Sequence, residues 1–430
     1  TTQMVFVISS NGAPLDPCHE ARARELLKKG RAAVWRMFPL TIKLKDRTRA
    51  ESVVATHCLK LDPGSKTTGI AVVQEGTGRV VFAAELTHRG QAIRDALLAR
   101  RGIRRSRRQR KTRYRPARFD NRRRPKGWLA PSLLHRVLTT ENWVNRLRRF
   151  CPVTALSVEL AKFDTQLMQN PEISGVEYQR GELLGWEVRA YLLEKWGRRC
   201  AYCGTENVPF EIDHVMPRDR GGSDRVSNLA LACHDCNQAK GNRTAEEFGH
   251  PEVQAQARAP LKDAAVVNAT RLALYPRLLM TGLPIEVGSG GRTRYNRARL
   301  NLSKAHFLDA ACVGASTPDN LRVAVTSVLL IAAKGHGSRQ MCRTDEFGFP
   351  RRHVPRQKRW FGFKTGDLVK AVVPKGKYAG THVGRVSIRT SGKFNITTAS
   401  GLVQGISHRH CQVIQRVDGY AYATRKEERA

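Results

Sequence analysis

Residues 57–86 read HCLKLDPGSKTTGIAVVQEGTGRVVFAAEL, and the punctuation of this stretch decides the fold class. Three apolar runs, His57 to Asp62, Gly69 to Gln74 and Arg79 to Leu86, are separated by the glycine-bearing turns PGSKTTG and EGTG. Short strands joined by tight turns pair with their neighbours, so an antiparallel meander is expected. Upstream, the pattern predicts a strand Met4 to Ser9, a turn through Asn11, Gly12, Pro14 and Pro17, a helix His19 to Lys29 ended by Gly30, and a strand Ala33 to Leu44. Downstream, an amphipathic helix from Ser132 stops before Pro152, and Val153 to Leu160 reads as a buried strand bearing Glu159. A helix Glu182 to Trp196, a second amphipathic stretch Asp263 to Leu279 and a short small-residue helix Lys304 to Gly314 follow. Gly335 to Arg359 reads as a linker or a loop that orders on binding, and the repeated strand and glycine-turn pattern from Phe361 to Tyr422 predicts a small β-barrel.

A chain of 430 residues carrying 75 Lys and Arg against 37 Asp and Glu has a formal charge of +38, far more than solubility requires, and its natural partner is a polyanion. With no long apolar span, secretory segment or lipidation motif, the expectation is a soluble cytoplasmic protein. Four of the ten cysteines form two CxxC pairs, while Cys18, Cys58, Cys151, Cys312, Cys342 and Cys411 are scattered singly. That distribution is metal chemistry in a reducing compartment, not a disulfide framework.

Residues 94–126 contain sixteen Lys or Arg and two Asp, too few apolar groups for a core. Arg100, Arg101, Arg104, Arg105, Arg107, Arg108, Arg110, Lys111, Arg113 and Arg115 are the candidate phosphate contacts, because a helix polar all round needs something to neutralise it. A solvated basic segment is the bland alternative.

Cys200, Cys203, Cys233 and Cys236 offer Zn²⁺ the closed four-thiolate shell of a structural site. Beside them lie Asp213, His214, Asn228 and Asn237, and a strand hairpin plus helix pinned by zinc would gather them. Phosphodiester hydrolysis needs a base to activate water and a divalent ion to stabilise charge on phosphate. The pattern resembles the zinc-bearing HNH nucleases. That resemblance implies His214 as general base, Asp213 and Asn237 as ligands of one Mg²⁺, and Asn228 as a brace for the histidine loop. His234 is expected to pack on the zinc knuckle. A zinc ribbon that only binds nucleic acid is the simpler reading, although it needs the thiolates alone.

Asp62, Glu159 and Asp309 each stand at the end of an element or on a short helix, with His306 one turn before Asp309. Singly each reads as a turn or surface residue; together they fit an RNase-H-like arrangement in which carboxylates around a sheet hold two divalent ions. The segments LKLDPGSKTTG (59–69), SVEL (157–160) and KAHFLDAA (304–311) resemble the three RuvC motifs, with an arginine-rich bridge helix after the first and HNH between the second and third. This order over essentially the whole chain resembles the IscB family of transposon-encoded RNA-guided nucleases. One departure is visible: the N-terminal signature Pro-Leu-Met-Pro is here Pro14-Leu15-Asp16-Pro17.

The resemblance implies an α/β multidomain protein whose RNase-H-like (RuvC) core is split in three. Its segments are an N-terminal module 1–52, RuvC segment I 53–93, bridge helix 94–127, RuvC segment II 128–180, linker helix and HNH domain 181–262, RuvC segment III 263–334, and a β-rich C-terminal domain 335–430. It implies Mg²⁺ at both centres, held at RuvC by Asp62, Glu159 and Asp309 with His306 assisting, and structural Zn²⁺ in HNH. Its implied partners are an ωRNA guide and duplex DNA with a short target-adjacent motif, met by a monomeric ribonucleoprotein. An RNA-independent HNH or junction-resolving endonuclease shares the chemistry, and a non-catalytic RNA-binding transposon accessory shares the charge.

Overall fold

The meander expected over residues 57–86 forms, and it occupies the middle of a seven-stranded sheet. Numbering strands along the chain, β5 (His57–Pro63), β6 (Thr67–Gln74) and β7 (Arg79–Thr87) pair antiparallel in turn. β8 (Val153–Glu159) runs parallel to β5, and β11 (Ile285–Gly288) lies beyond it. On the other side β12 (Ser327–Ala333) runs parallel to β7, and β22 (Tyr420–Lys426) closes the row antiparallel to β12. The order is therefore β11-β8-β5-β6-β7-β12-β22. Leu59, Leu61, Ile70, Ala71, Val72, Ala84 and Leu86 are all buried, the continuous apolar run of strands covered on both faces.

The computed structural model describes residues 4–110, 127–160, 189, 192–193, 195–223, 226–258, 264–323, 325, 327–336, 341–347 and 349–426. Lys111, Arg113 and Arg115, and part of the helix expected over Glu182 to Trp196, lie outside them. The chain divides into two compact units, one of Thr1–Glu159, Arg277–Val287 and Gly291–Ala430, the other of Leu160–Pro276 and Gly288–Gly290. No helix among the described residues is long and apolar enough to cross a membrane.

In the first unit, β1 (Met4–Ile8), β2 (Pro14–His19), β3 (Ala32–Arg36) and β4 (Thr41–Leu44) form a sheet of order β2-β1-β4-β3 under the helix Glu20–Lys28. Two expectations are corrected here. Pro14 to His19, read as a turn, is a strand; its prolines are tolerated because it lies at the sheet edge. The single strand expected over Ala33 to Leu44 is two, broken at Pro39, which has no N–H for a ladder.

The helix Pro131–Phe150 buries Val137, Trp143, Val144 and Leu147, whereas the helix Gly90–Gln109 buries only Gly90. Residues 335–359 are not simply a linker: β13 (Cys342–Thr344) and β14 (Pro350–His353) pair as a hairpin. A second hairpin, β15 (Arg359–Trp360) with β16 (Phe363–Lys364), precedes the strands β17 (Leu368–Val373), β18 (Gly380–Ser387), β19 (Lys393–Thr398), β20 (Gly401–Ser407) and β21 (Cys411–Gln415). These five make an antiparallel sheet of order β20-β19-β18-β17-β21 around Val369, Val386, Phe394 and Ile396. The barrel reading extended to Tyr422, but Tyr420 and Tyr422 leave that sheet for β22. There they meet the Trp143 ring at 5.5 and 6.1 Å. Asp418, just before them, takes Arg146 at 2.7 Å and also pairs with Arg36 and the Tyr422 hydroxyl.

In the second unit, β9 (Phe210–His214) and β10 (Leu229–Cys233) form an antiparallel pair followed directly by the helix His234–Lys240, the ββα arrangement expected of this segment. Its core contains Trp196, Tyr202, Phe210, Val215, Leu229, Leu231, Ala245 and Val253.

The helix His306–Ala311 lies against β6 in the first unit. A Cβ on Gly69 would stand 1.8 Å from the His306 carbonyl oxygen and 3.2 Å from Ala310 Cβ. Because the obstruction is backbone, Gly69→Ala is expected to destabilise the first unit by about 1–3 kcal/mol, in the range of overpacked sites. Thermal denaturation checks this; an unchanged melting profile would mean that the helix is not held at Gly69.

Candidate functional site

Register places the carboxylates before any side chain is considered. Leu61 of β5 is opposite Val158 of the parallel β8, so Asp62 and Glu159 follow side by side on neighbouring strands, whose spacing is about 4.8 Å. Asp62 is also opposite Gly69, where the helix His306–Ala311 makes its close approach. His306 Nδ1 consequently lies 3.9 Å from Asp62 Oδ2. Asp309, one turn along that helix, forms an ion pair with Arg297, whose Nη1 lies 3.1 Å from Oδ1 without hydrogen-bond geometry. Burial pushes the Asp309 carboxyl above its usual value, with Asp62 adding and Arg297 opposing, while the Asp62 carboxylate holds His306 above its own. The structure thus sets His306 beside Asp62, with Asp309 one turn along the same helix and Glu159 next to Asp62 by register. Asp62 and Asp309 repel each other, a repulsion that a hard divalent cation with oxygen ligands would relieve, but no three of these four side chains bring their ligand atoms within 4.8 Å of one another.

Lys60, two residues before Asp62, went unremarked in the sequence. Its side chain is buried, and Nζ donates to the Val313 carbonyl at 2.7 Å, with Thr317 Oγ1 at 3.3 Å and Ser316 Oγ at 3.4 Å. Val313 lies just beyond the helix His306–Ala311, so the ammonium ties down the chain leaving that helix. A lysine inside the apolar run CLKL was the available signal. Glu85, opposite Gly69 on β7, was missed as well; Arg425 clamps it with two contacts at 3.2 and 3.3 Å.

In the second unit the Sγ atoms of Cys200, Cys203, Cys233 and Cys236 all lie within 4.8 Å of one another, with Cys203 and Cys233 at 3.7 Å. A tetrahedron with Zn–S bonds of about 2.3 Å has edges of about 3.8 Å, so the four thiols fit such an ion.

Asp213 and Asn237 are engaged by different partners. Asp213 is only 6% exposed and accepts Lys240 Nζ at 3.1 Å and the Tyr202 hydroxyl. Burial, then the Asp213 carboxylate, raises the pKa of that hydroxyl. Asn237 Nδ2 donates to Glu211 Oε2 at 2.5 Å, and His234 meets Glu211 Oε1 at 2.8 Å. His234 is thus exposed and paired, not packed on the cysteine cluster as expected. His214 ends β9; its Nε2 accepts Arg218 Nε at 3.3 Å and its carbonyl accepts Lys240 Nζ at 2.8 Å. Asn228 spans the loop that follows: Oδ1 accepts Met216 N at 2.8 Å, and Nδ2 donates to the Met216 and Ser223 carbonyls, both at 2.9 Å. Lys240, three residues beyond Asn237 and followed by Gly241, was marked by its place beside these groups, whereas Glu211 carries no motif spacing of its own.

Arg100, Arg101, Arg104, Arg105, Arg107 and Arg108 are exposed along the helix Gly90–Gln109, and Arg110 at its end donates to the Glu346 carbonyl at 3.1 Å.

Residues 5–181 match the family model described as RRXRR protein, and Arg104 to Arg108 spell Arg-Arg-Ser-Arg-Arg. Residues 200–243 match the HNH endonuclease model. The chain therefore carries an HNH nuclease domain. No curated protein matches the chain. Among solved structures, Streptococcus thermophilus Cas9 in complex with the GGAA PAM is 15% identical over 60% of this chain and 32% of that one, at a TM-score of 0.22. The Type II-C Cas9 enzyme from Actinomyces naeslundii is 18% identical over 47% of this chain and 32% of that one, at a TM-score of 0.16. This chain spans about a third of the length of those proteins, and so slight a likeness assigns no activity.

If the four cysteines hold Zn²⁺, the purified protein should contain about one zinc per chain, and Cys200→Ser or Cys236→Ser should lose it together with the fold of residues 195–258. Metal analysis and limited proteolysis read the two effects. A zinc-free protein whose HNH segment still resists protease would show that the cluster needs no ion.

Proposed function

We propose that this chain is an RNA-guided DNA endonuclease of the IscB type, with an RNase-H-like (RuvC) centre at Asp62, Glu159, His306 and Asp309 and an HNH centre at His214. The observation that supports the reading is that Asp62 and Glu159 stand on neighbouring strands while the helix carrying His306 and Asp309 lies on Gly69 opposite Asp62, with the HNH-matching segment between the second and third of these segments in sequence. A meander continued by a strand parallel to its first member supports the RNase-H-like assignment. The segment boundaries expected from the sequence, 53–93, 128–180 and 263–334, are proposed on the same ground.

At the carboxylate centre, Asp62, Glu159 and Asp309 would hold Mg²⁺. A bound ion supplies an activated water and neutralises charge on the phosphate. His306, held beside Asp62, is placed to orient that water or contact the phosphate, and Arg297 steadies Asp309. At the HNH centre His214 is the proposed general base, fixed from behind by Lys240 on its carbonyl and by the Asn228 brace. Asp213 and Asn237 do not present an open ligand pair, because Lys240 already neutralises Asp213 and Glu211 holds Asn237. The chemistry there is accordingly assigned to His214, with no step through a cation.

The basic surface fits a guide RNA and a DNA target. The exposed arginines of Gly90–Gln109 would grip RNA phosphates, and the C-terminal sheet would help hold a structured ωRNA and read a target-adjacent motif. HNH would cut the guide-paired strand and the carboxylate centre the displaced one.

Strand-specific cleavage tests this. With the RNA that copurifies, Mg²⁺ and a matching duplex, the unaltered protein should break both strands. Asp62→Ala should leave only the nick in the guide-paired strand and His214→Ala only the opposite nick, each altered centre slowed by about 10²–10⁴-fold or more. Double-strand breaks by Asp62→Ala would refute the carboxylate assignment, and cutting of unmatched duplex without RNA would refute guidance.

A further inference from the structure

The hairpin of β15 and β16 breaks a local rule. Arg359 pairs with Lys364 and Trp360 with Phe363, so Phe361 and Gly362 are its two-residue turn, with φ of +53° and +80°. Hairpin turns with positive φ at both central positions favour Asn or Asp followed by Gly. A phenylalanine there is strained, and such strain persists where the surroundings impose it and often where function uses it. Burial does not explain the choice, because Phe361 is 48% exposed.

The surroundings do hold the ring in place. It stacks on His408 with centroids 4.1 Å apart and planes 20° from parallel, and Phe394 lies 6.5 Å from one ring and 6.1 Å from the other. Gly392 makes room, since a Cβ there would stand 2.8 Å from His408 Nδ1 and 3.3 Å from the Phe361 ring. Arg416 pins the turn by donating to the Gly362 carbonyl at 2.6 Å.

Charge says what would cover it. Residues 347–417 contain fourteen Lys or Arg and a single acidic residue, Asp367. That carboxylate is buried, accepting from Lys364 N, Val417 N and Arg416. Arg359, Lys393 and Arg409, adjoining the turn, Gly392 and His408 in sequence, are all exposed. An exposed aromatic stack in a segment without exposed acid is suited to a nucleobase with its phosphates.

We propose that the stacked Phe361–His408 pair is a platform for an unpaired base of single-stranded RNA. RNA is favoured over DNA because structured RNA offers unstacked bases in loops and ends without a duplex having to be opened. The inference rests on the nucleic-acid partner of the proposed function but on neither cutting centre.

The test uses full-length protein freed of nucleic acid, without added Mg²⁺, and probes of single-stranded oligouridine, an RNA duplex and oligothymidine. Phe361→Asn installs the residue the turn prefers, so the melting temperature should hold or rise while oligouridine binding weakens by about 5–100-fold. Duplex RNA binding should not change, and Phe361→Trp should retain oligouridine binding. Unchanged oligouridine affinity in Phe361→Asn would overturn the proposal. So would an equal loss on duplex RNA, a fall in melting temperature, or a loss confined to oligothymidine. Failure of the nuclease reading would appear separately, as absence of guided cutting by a protein that still binds oligouridine.

Discussion

The contact between the backbone of His306 and the face of Gly69 governs the carboxylate end of the central sheet. Asp62 and Glu159 are fixed by strand register alone, but Asp309 and His306 reach them only if their helix lies directly on β6, and any side chain at position 69 would lift it. Lys60 secures the other end. Its ammonium, buried beneath the sheet end, is satisfied by a carbonyl and two hydroxyls around residues 313–317. Burying a cation is costly unless such partners are supplied, so removing either the lysine or the loop would leave the other unsatisfied.

A second constraint ties distant parts of the first unit together. Asp418 receives Arg36 from the N-terminal module and Arg146 from the long helix, and it introduces β22, which extends the central sheet past β12. In a chain of formal charge +38, a carboxylate shared by two arginines also lowers their mutual repulsion. Burial raises the Asp418 carboxyl, but the Tyr422 hydroxyl, Arg146 and Arg36 together outweigh it and hold Asp418 below the usual carboxylate range. Elsewhere the excess cations remain on the surface, along Gly90–Gln109 and over the C-terminal sheet, where phosphate rather than carboxylate can neutralise them.

The sequence made the local elements legible wherever apolar period and turn chemistry agreed. The meander of 57–86, the strand bearing Glu159 and the hairpin and helix around the cysteines all follow from patterns within a few residues. Long-range partners were less legible. Nothing near Tyr420 marks it for the central sheet instead of the strands preceding it, because both settings suit an apolar alternating run. Pro14 and Pro17 read as turn residues, since proline is excluded from central strands but not from the edge that β2 occupies. Spacing named Asp213 and Asn237 but could not reveal that Lys240 and Glu211 engage them, a matter of which side chains the helix His234–Lys240 turns toward β9.

The proposed divalent-cation site of Asp62, Glu159 and Asp309 is tested most directly by Mn²⁺ binding followed by electron paramagnetic resonance. The unaltered chain should bind about one or two more ions than Asp62→Asn or Asp309→Asn, while His214→Ala keeps the full number at this site. Equal Mn²⁺ binding by the unaltered chain and both aspartate variants would contradict the account.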